Sequence, residues 1–395
     1  MRGTKQKKQV GKSSGNDRFQ MVATTLEGLE DVLARELMTI GGNDIRTGKR
    51  AVYFSSDVDL IYKANLRLRT ALRLLKPVKK FKAGNKDELY DGIASIDWTN
   101  IFDVSKSFAI KTAVSGNIFT HSHFAALKCK DAIVDQFRDK FNERPNIETR
   151  TPDLVFHVKI HRDQVTVSLD SSGTPLNKRG YRQPQATAPL NECLAAGMLL
   201  IAGYEGKRNF VDGMCGSGTL CIEAALIANK IAPGLLRQDF AFMHWKDFDD
   251  ELYKIIHNAT VNKIVESSHQ IMGYDKNMST IKLARQAAKV AGVEEAINFR
   301  ITDFFDEEPP EAPGMLVMNP PYGERIKIRN IESLYSEIGD KLKQSYPGYQ
   351  AWLLSGHEEA MKNVGLRTSD THHLINGKLP TRFSCYKIYS GSKTV

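Results

Sequence analysis

Gly314-Met315-Leu316-Val317-Met318-Asn319-Pro320-Pro321-Tyr322-Gly323-Glu324-Arg325 joins an apolar run to a stiff polar turn. The run reads as a strand buried on both faces, the pattern of a parallel sheet. The two prolines forbid a continuing strand and an immediate helix, because each fixes φ and lacks an N–H. The chain is thus rigid at the carboxyl end of a strand, where open α/β sheets bind ligands. It offers there the Asn319 amide, the carbonyls of Pro320 and Pro321 and the Tyr322 ring. Such a set accepts hydrogen bonds from a planar amino group while the ring stacks on the base that carries it. Asn-Pro is also ordinary turn chemistry, so the surroundings decide.

Outward from this stretch the chain alternates strand and helix. A helix over Pro189–Ile201 is followed by a strand at Asn209–Asp212, a glycine-containing loop and a helix over Leu220–Asn229. A polar, aromatic-containing insertion with a helix of its own runs to about Ser268. Strand Gln270–Tyr274, helix Met278–Val290 and strand Ile297–Ile301 then lead to strand Met315–Met318. Helix Ile331–Ser345, strand Gln350–Leu354 and an edge hairpin of His372–Ile375 with Arg382–Tyr389 complete the pattern. This alternation predicts a doubly wound, Rossmann-like α/β domain over residues 173–395.

Polar residues stand at four successive strand ends: Asp212, Asp275, Asp303 and Asn319. Each alone could be a helix cap. Together they outline one crevice, with Gly213-Met214-Cys215-Gly216-Ser217-Gly218-Thr219 as a turn that lets a ligand approach backbone closely. The G-x-G-x-x-G dinucleotide pattern and the P-loop lysine are both absent, which disfavours a pyrophosphate or triphosphate. S-adenosyl-L-methionine fits. Asp212 and the loop Gly213, Met214, Cys215, Gly216, Gly218 and Thr219 would face its amino-acid portion. Asp275 would take the ribose, and Asp303 with Phe304 the adenine.

The amino-terminal half predicts two smaller α+β units after a disordered basic tail over 1–17. In 18–75, strand Phe19–Ala23 leads to a helix carrying Leu26, Leu29, Val32, Leu33 and Leu37 and ending at Gly41-Gly42. Strand Ala51–Phe54 and a helix over Val58–Leu75 follow. In 76–172 the expectations are helix Asp87–Ile96, strand Ser107–Ser115 and helix Ser122–Phe141 with Phe124, Leu127, Ile133, Val134 and Phe137 inward. A hairpin of Leu154–Ile160 and Gln164–Leu169 turns at His161-Arg162-Asp163.

The formal charge of +9 over 395 residues favours a polyanionic partner. Lys63, Arg67, Arg69, Arg73, Lys76, Lys79, Lys80, Lys82 and Lys86 succeed one another between Leu60 and Lys86 without an acidic residue, which leans toward phosphate contact; a charge run is more commonly a solvated face. His121 and His123 precede the long helix, where phosphate contact or capping is expected in preference to metal, since no third ligand lies nearby. Lys178-Arg179-Gly180-Tyr181-Arg182 sets three cations around an aromatic, a composition suited to backbone contact with stacking or to a structural linker. The cysteines Cys129, Cys193, Cys215, Cys221 and Cys385 form no C-x-x-C pair. With no long apolar run and no apolar leader, the expectation is a cytoplasmic chain without membrane or metal.

With these residues in hand the chain resembles the THUMP-domain RNA methyltransferases, and within them the bacterial group related to the guanine-(2-amino) methyltransferase of large-subunit ribosomal RNA. The resemblance runs from about Phe19 to near the end. It rests on Gly28-Leu29-Glu30, on His121 to Lys128, on Leu169-Asp170-Ser171-Ser172-Gly173, on Lys178 to Arg182, on Met214 to Thr219 and on Asn319 to Arg325. One departure is Gly213, where that group usually has proline. The resemblance implies a ferredoxin-like leader, a THUMP domain that docks RNA and a class I methyltransferase domain. It implies 23S ribosomal RNA or its precursor as partner, with RNA contacts from Lys79, Lys80, His121, His123, Lys128, Lys178, Arg179, Tyr181 and Arg182. Asn319, Pro320, Pro321 and Tyr322 would act on the base. An adenine-amino methyltransferase, a glutamine methyltransferase or a non-catalytic ribosome-assembly factor are the alternatives.

Overall fold

Two seven-stranded sheets carry the chain. The computed structural model describes residues 18–182, 189–322 and 331–389. The first sheet is built from β1 (Phe19–Thr24), α1 (Glu30–Thr39), β2 (Asn43–Gly48), β3 (Ala51–Ser56), α2 (Val58–Arg67) and β4 (Arg73–Lys82). It continues with α3 (Lys86–Ala94), β5 (Phe108–Ser115), α4 (Ser122–Phe141), β6 (Leu154–His161) and β7 (Gln164–Asp170). Its order is β2-β3-β1-β4-β7-β6-β5, with β5 and β6 parallel and β4 pairing antiparallel with both β1 and β7.

β4 corrects the expected helix over Val58–Leu75, which stops at Arg67. Leu68 is extended and Leu74 is buried in the sheet. The register shifts between Pro77 and Lys79, where a proline without a ladder N–H is tolerated. The division expected between 75 and 76 therefore falls inside a strand that both amino-terminal units share. β2 went unpredicted because its exposed Asn43-Asp44-Ile45-Arg46-Thr47-Gly48 lacks apolar alternation. On α4, Phe124 and Leu127 point outward, 45% and 43% exposed; Ala125, Cys129, Ala132, Ile133 and Phe137 are the buried positions.

The basic run around β4 is largely used inside the protein. Lys63 pairs with Asp59, Arg67 donates to Thr260, and Arg73 holds Asp170 and the Gly173 carbonyl. Lys76 lies over the Phe19 ring and faces Asp247, and Lys82 pairs with Asp163. A solvated phosphate-binding face is not what most of these residues form.

The second sheet follows α5 (Glu192–Ile201). It uses β8 (Asn209–Asp212), α6 (Thr219–Ala228), α7 (Asp250–Val261), β9 (Ile271–Asp275), α8 (Met278–Val290), β10 (Ile297–Ile301) and β11 (Gly314–Met318). Then come α9 (Ile331–Ser345), β12 (Tyr349–Ser355), α10 (Glu358–Lys362), β13 (Asp370–Asn376) and β14 (Leu379–Lys387). The order is β10-β9-β8-β11-β12-β14-β13. The first five strands are parallel, and β13–β14 is the expected antiparallel hairpin at the edge. The order reverses beside β8, so the β8–β11 neighbourhood is the topological switch point.

The two halves meet over a buried polar junction. Arg179 is 1% exposed; its Nε donates to Glu223 of α6 at 3.3 Å, and its Nη atoms donate to the carbonyls of Leu176 and Arg69. Arg69 in turn donates to the carbonyls of Leu226 and Ile231 at the end of α6, and Glu36 accepts from the Arg69 and Thr70 amides. Gly197 lies so close to Leu29 that a Cβ would stand 2.6 Å from its methyls. The insertion containing α7 returns to the first half, packing Phe242, Phe248 and Tyr253 around Tyr62.

Candidate active site

The four polar strand ends lie on four neighbouring strands, β10, β9, β8 and β11, so Asp303, Asp275, Asp212 and Asn319 line one carboxyl edge in that order. Asp212 is buried, and its Oδ1 accepts from the Met214 amide at 3.3 Å. Burial, opposed by that hydrogen bond and reinforced by the neighbouring Asp275, pushes its carboxyl up to about 8. Asp275 organises the turn: one oxygen accepts from the Gly216 amide at 3.0 Å, the other from Asn277 N–H and the Thr280 hydroxyl. Gly216 and Gly218 have φ of +52° and +77°, a left-handed region costly for residues with a Cβ. At Gly218 a Cβ would also meet Phe299 and Ala284 within 3 Å.

Gly213 has a different reason. A Cβ there would stand 2.3 Å from the Phe304 ring, so the ring occupies the space a proline would need. We expect Gly213→Pro to lower thermal stability by about 1–3 kcal/mol through overpacking, and the same change with Phe304→Leu to recover most of it, as read by melting temperature. Phe304 itself is 1% exposed, 5.7 Å from Tyr346 by ring centroid. Its ring packs behind the glycine loop, against Gly213. Asp303 accepts from the Phe305 amide and pairs with Lys276 at 2.5 Å. Cys215 is buried with its amide on the Tyr274 carbonyl. The Thr219 hydroxyl accepts from Arg182, while the amino end of α6 has no side-chain cap.

Among the described residues no cationic side chain pairs with Asp212 or Asp275. Two carboxyl groups in one crevice, one of them dry, suit a ligand that brings its own positive charge. S-adenosylmethionine, with an ammonium and a sulfonium, meets that requirement. Pairing with an ammonium requires ionised Asp212. Its folded pKa lies above the ordinary carboxylate range, so Asp212 holds a proton until pH approaches about 8. Its contribution to the ligand-free fold thus weakens as pH rises toward that value. Cofactor affinity should correspondingly rise with pH up to about 8 and level off, with proton release on binding near pH 7; calorimetry in buffers of different ionisation heat checks this, and Asp212→Asn should remove the release.

At the end of β11, Asn319 is half-buried and its side-chain oxygen is shielded from water, with no hydrogen-bond donor among the described residues. A buried carbonyl without a donor is costly. Pro320 is buried, Pro321 and Tyr322 half-buried, and the Tyr322 hydroxyl accepts from Asn376 Nδ2 at 2.8 Å. Gly323, Glu324 and Arg325 lie outside the described residues.

Residues 179–384 match the model of the RMKL-like methyltransferase domain, residues 83–170 the THUMP domain, and residues 20–75 the RlmL ferredoxin-like domain. The chain belongs to the RMKL-like methyltransferase family. A candidate RNA methyltransferase of Synechocystis is 37% identical over 93% of this chain and 96% of its own. The ribosomal RNA large subunit methyltransferase K/L of Syntrophotalea carbinolica is 36% identical over 94% of this chain but 54% of its own; the chain spans about half the length of that relative. The crystal structure of SMU.472, a methyltransferase candidate in complex with SAH, superposes with a TM-score of 0.86 at 29% identity, covering 96% of this chain and all of the other. The RMKL-like domain is thus of the S-adenosylmethionine-dependent class I, preceded by ferredoxin-like and THUMP units, as the resemblance implied.

On this RMKL-like chain the residues proposed for RNA separate into two groups. Lys80, His121, His123 and Lys178 are exposed. Lys128 is half-buried, and Lys79 is held by Ser95. Arg179 and Tyr181 are buried at the junction, both on Glu223, and cannot touch RNA from there; Arg182 is tied to Glu192, Leu190 and Thr219. Among the described residues no group of His, Cys, Asp and Glu could hold a metal, and no helix is long and apolar enough to cross a membrane. Sequence reasoning missed Asn376 and Gly356 beside Tyr322. Asn376-Gly377 is a hairpin dipeptide, and nothing in it announces a partner at the active site.

Proposed function

We propose that this RNA methyltransferase transfers a methyl group to the exocyclic 2-amino group of a guanine in large-subunit (23S) ribosomal RNA. The observation that carries the reading is the shielded side-chain carbonyl of Asn319 beside Tyr322, to which the described residues offer no donor, at the edge that also holds Asp212 and Asp275. The relatives named ribosomal RNA large subunit methyltransferase K/L support large-subunit RNA, and the choice of guanine follows the family resemblance.

S-adenosylmethionine, when bound, supplies the electrophilic methyl group. Asp212 and the Gly213–Thr219 turn would hold its amino-acid portion, Asp275 its ribose and Asp303 its adenine. The exposed cations of the first half contact the RNA backbone, and the target guanine leaves its stack to reach the site. The Tyr322 ring stacks on the flipped base. Asn319 Oδ1 and the Pro320 carbonyl accept the two amino hydrogens, which turns the nitrogen lone pair into the crevice. Orientation supplies much of the rate, and the proton leaves to solvent once nitrogen has become positively charged. No strong general base is required.

The RNA assignment is tested with large-subunit RNA from cells that lack the enzyme and from cells that contain it. The first should accept label from radioactive S-adenosylmethionine and the second should not; equal labelling of both would reject this RNA as the substrate.

A further inference from the structure

The Tyr322 ring is restrained from two sides. Its hydroxyl accepts from Asn376 Nδ2 at 2.8 Å. Gly356, just past β12, lies against the ring: a Cβ there would stand 3.1 Å from Cδ2 and 3.2 Å from Cε2. Beside the ring is a cavity of about 250 Å³, lined by Ser355, His373, Pro380 and Arg382 among others. An untethered ring therefore has open space to enter.

Asn376 ends β13, and Gly377, with φ of +67°, turns the chain into β14. The hairpin is anchored in its turn. Gly28, at φ +90°, approaches β13 so closely that a Cβ would stand 2.4 Å from the His373 carbonyl oxygen. Leu374 is 1% exposed in the same core as Leu29 and Val32, and the Thr381 hydroxyl donates to its carbonyl. Contacts thus run without a gap from the ferredoxin-like unit, through β13, to the hydroxyl of the stacking tyrosine.

We propose that Asn376 is a positioning residue for Tyr322, and that the ferredoxin-like unit, seated on β13 at Gly28, holds Asn376 in place. This rests on the reading that Tyr322 stacks on the target base. Freezing a side chain before substrate arrives removes an ordering cost from the reaction, and sites function when such rings are held by their surroundings. The amino-terminal unit would then contribute to methyl transfer as well as to RNA binding.

The test uses the full chain. Asn376→Leu removes the donor at similar volume and should slow single-turnover methyl transfer by about tenfold, with cofactor affinity and melting temperature unchanged. In a Tyr322→Phe background, which lacks the hydroxyl, Asn376→Leu should cause no further loss. Equal loss in both backgrounds, or no loss beside the native tyrosine, would overturn the positioning role. A second readout needs no RNA: in protein labelled with ¹³C at tyrosine Cζ, the Tyr322 resonance, identified by its loss in Tyr322→Phe, should shift in Asn376→Leu and in Gly28→Ala. A resonance unmoved by Asn376→Leu overturns the tether, and one unmoved by Gly28→Ala overturns the part given to the ferredoxin-like unit. Because these spectra are independent of substrate, an error in the assigned RNA would leave them interpretable.

Discussion

Asn319→Ala should abolish methyl transfer, by at least about a thousandfold in single-turnover rate, while leaving cofactor affinity nearly unchanged. The Asn319 side-chain carbonyl oxygen is shielded from water, and the described residues provide it no donor. Its removal forfeits a hydrogen bond that exists only with substrate in place and frees the amino nitrogen to rotate. Losing a donor–acceptor contact aimed at the reacting group costs about two to three decades in comparable sites, and misalignment adds to it. Rapid-quench kinetics together with calorimetry of cofactor binding separates the two quantities. Equal loss of both would mean that Asn319 belongs to the cofactor crevice and not to the base.

The largest stability effect belongs to Arg179. Arg179→Met should destabilise the protein by about 3–5 kcal/mol, because it leaves Glu223 charged, buried and without its cation. Glu223 lies on α6 with 0% exposure, and the same arginine also satisfies the Arg69 and Leu176 carbonyls. Denaturant unfolding measures the loss. Adding Glu223→Leu should recover part of it, since a neutral pair of similar volume removes the buried charge while Tyr181 still loses its acceptor. A change below about 0.5 kcal/mol, the range of an exposed substitution, would contradict the burial of this pair.

The parallel sheet was readable because its strands are short apolar runs separated by amphipathic helices, and β10 and β11 fall where the periodicity puts them. The crevice was readable for a related reason: strands buried on both faces end in isolated polar residues, and Asp212, Asp275, Asp303 and Asn319 stand out against them. β4 was not, because its cations mimic an exposed helix while their partners, Asp170, Asp247 and Asp163, are distant in sequence. Arg179 and Tyr181 were misplaced for the same cause. Their acceptor is Glu223, 44 residues from Arg179, and a lone glutamate inside the apolar Leu220-Cys221-Ile222-Glu223-Ala224 was the sign that a cation would be drawn into the core. The packing of Phe304 against Gly213 was not legible either, because no local pattern discloses that contact.

The most direct measurement is the identity of the methylated nucleoside formed when the protein, radiolabelled S-adenosylmethionine and unmodified large-subunit RNA are incubated and the RNA is digested to nucleosides. The expected product is 2-methylguanosine. Label in methyladenosine would keep the fold and the crevice but contradict the assigned base, and absence of label in any nucleoside, with cofactor bound, would contradict the assigned substrate.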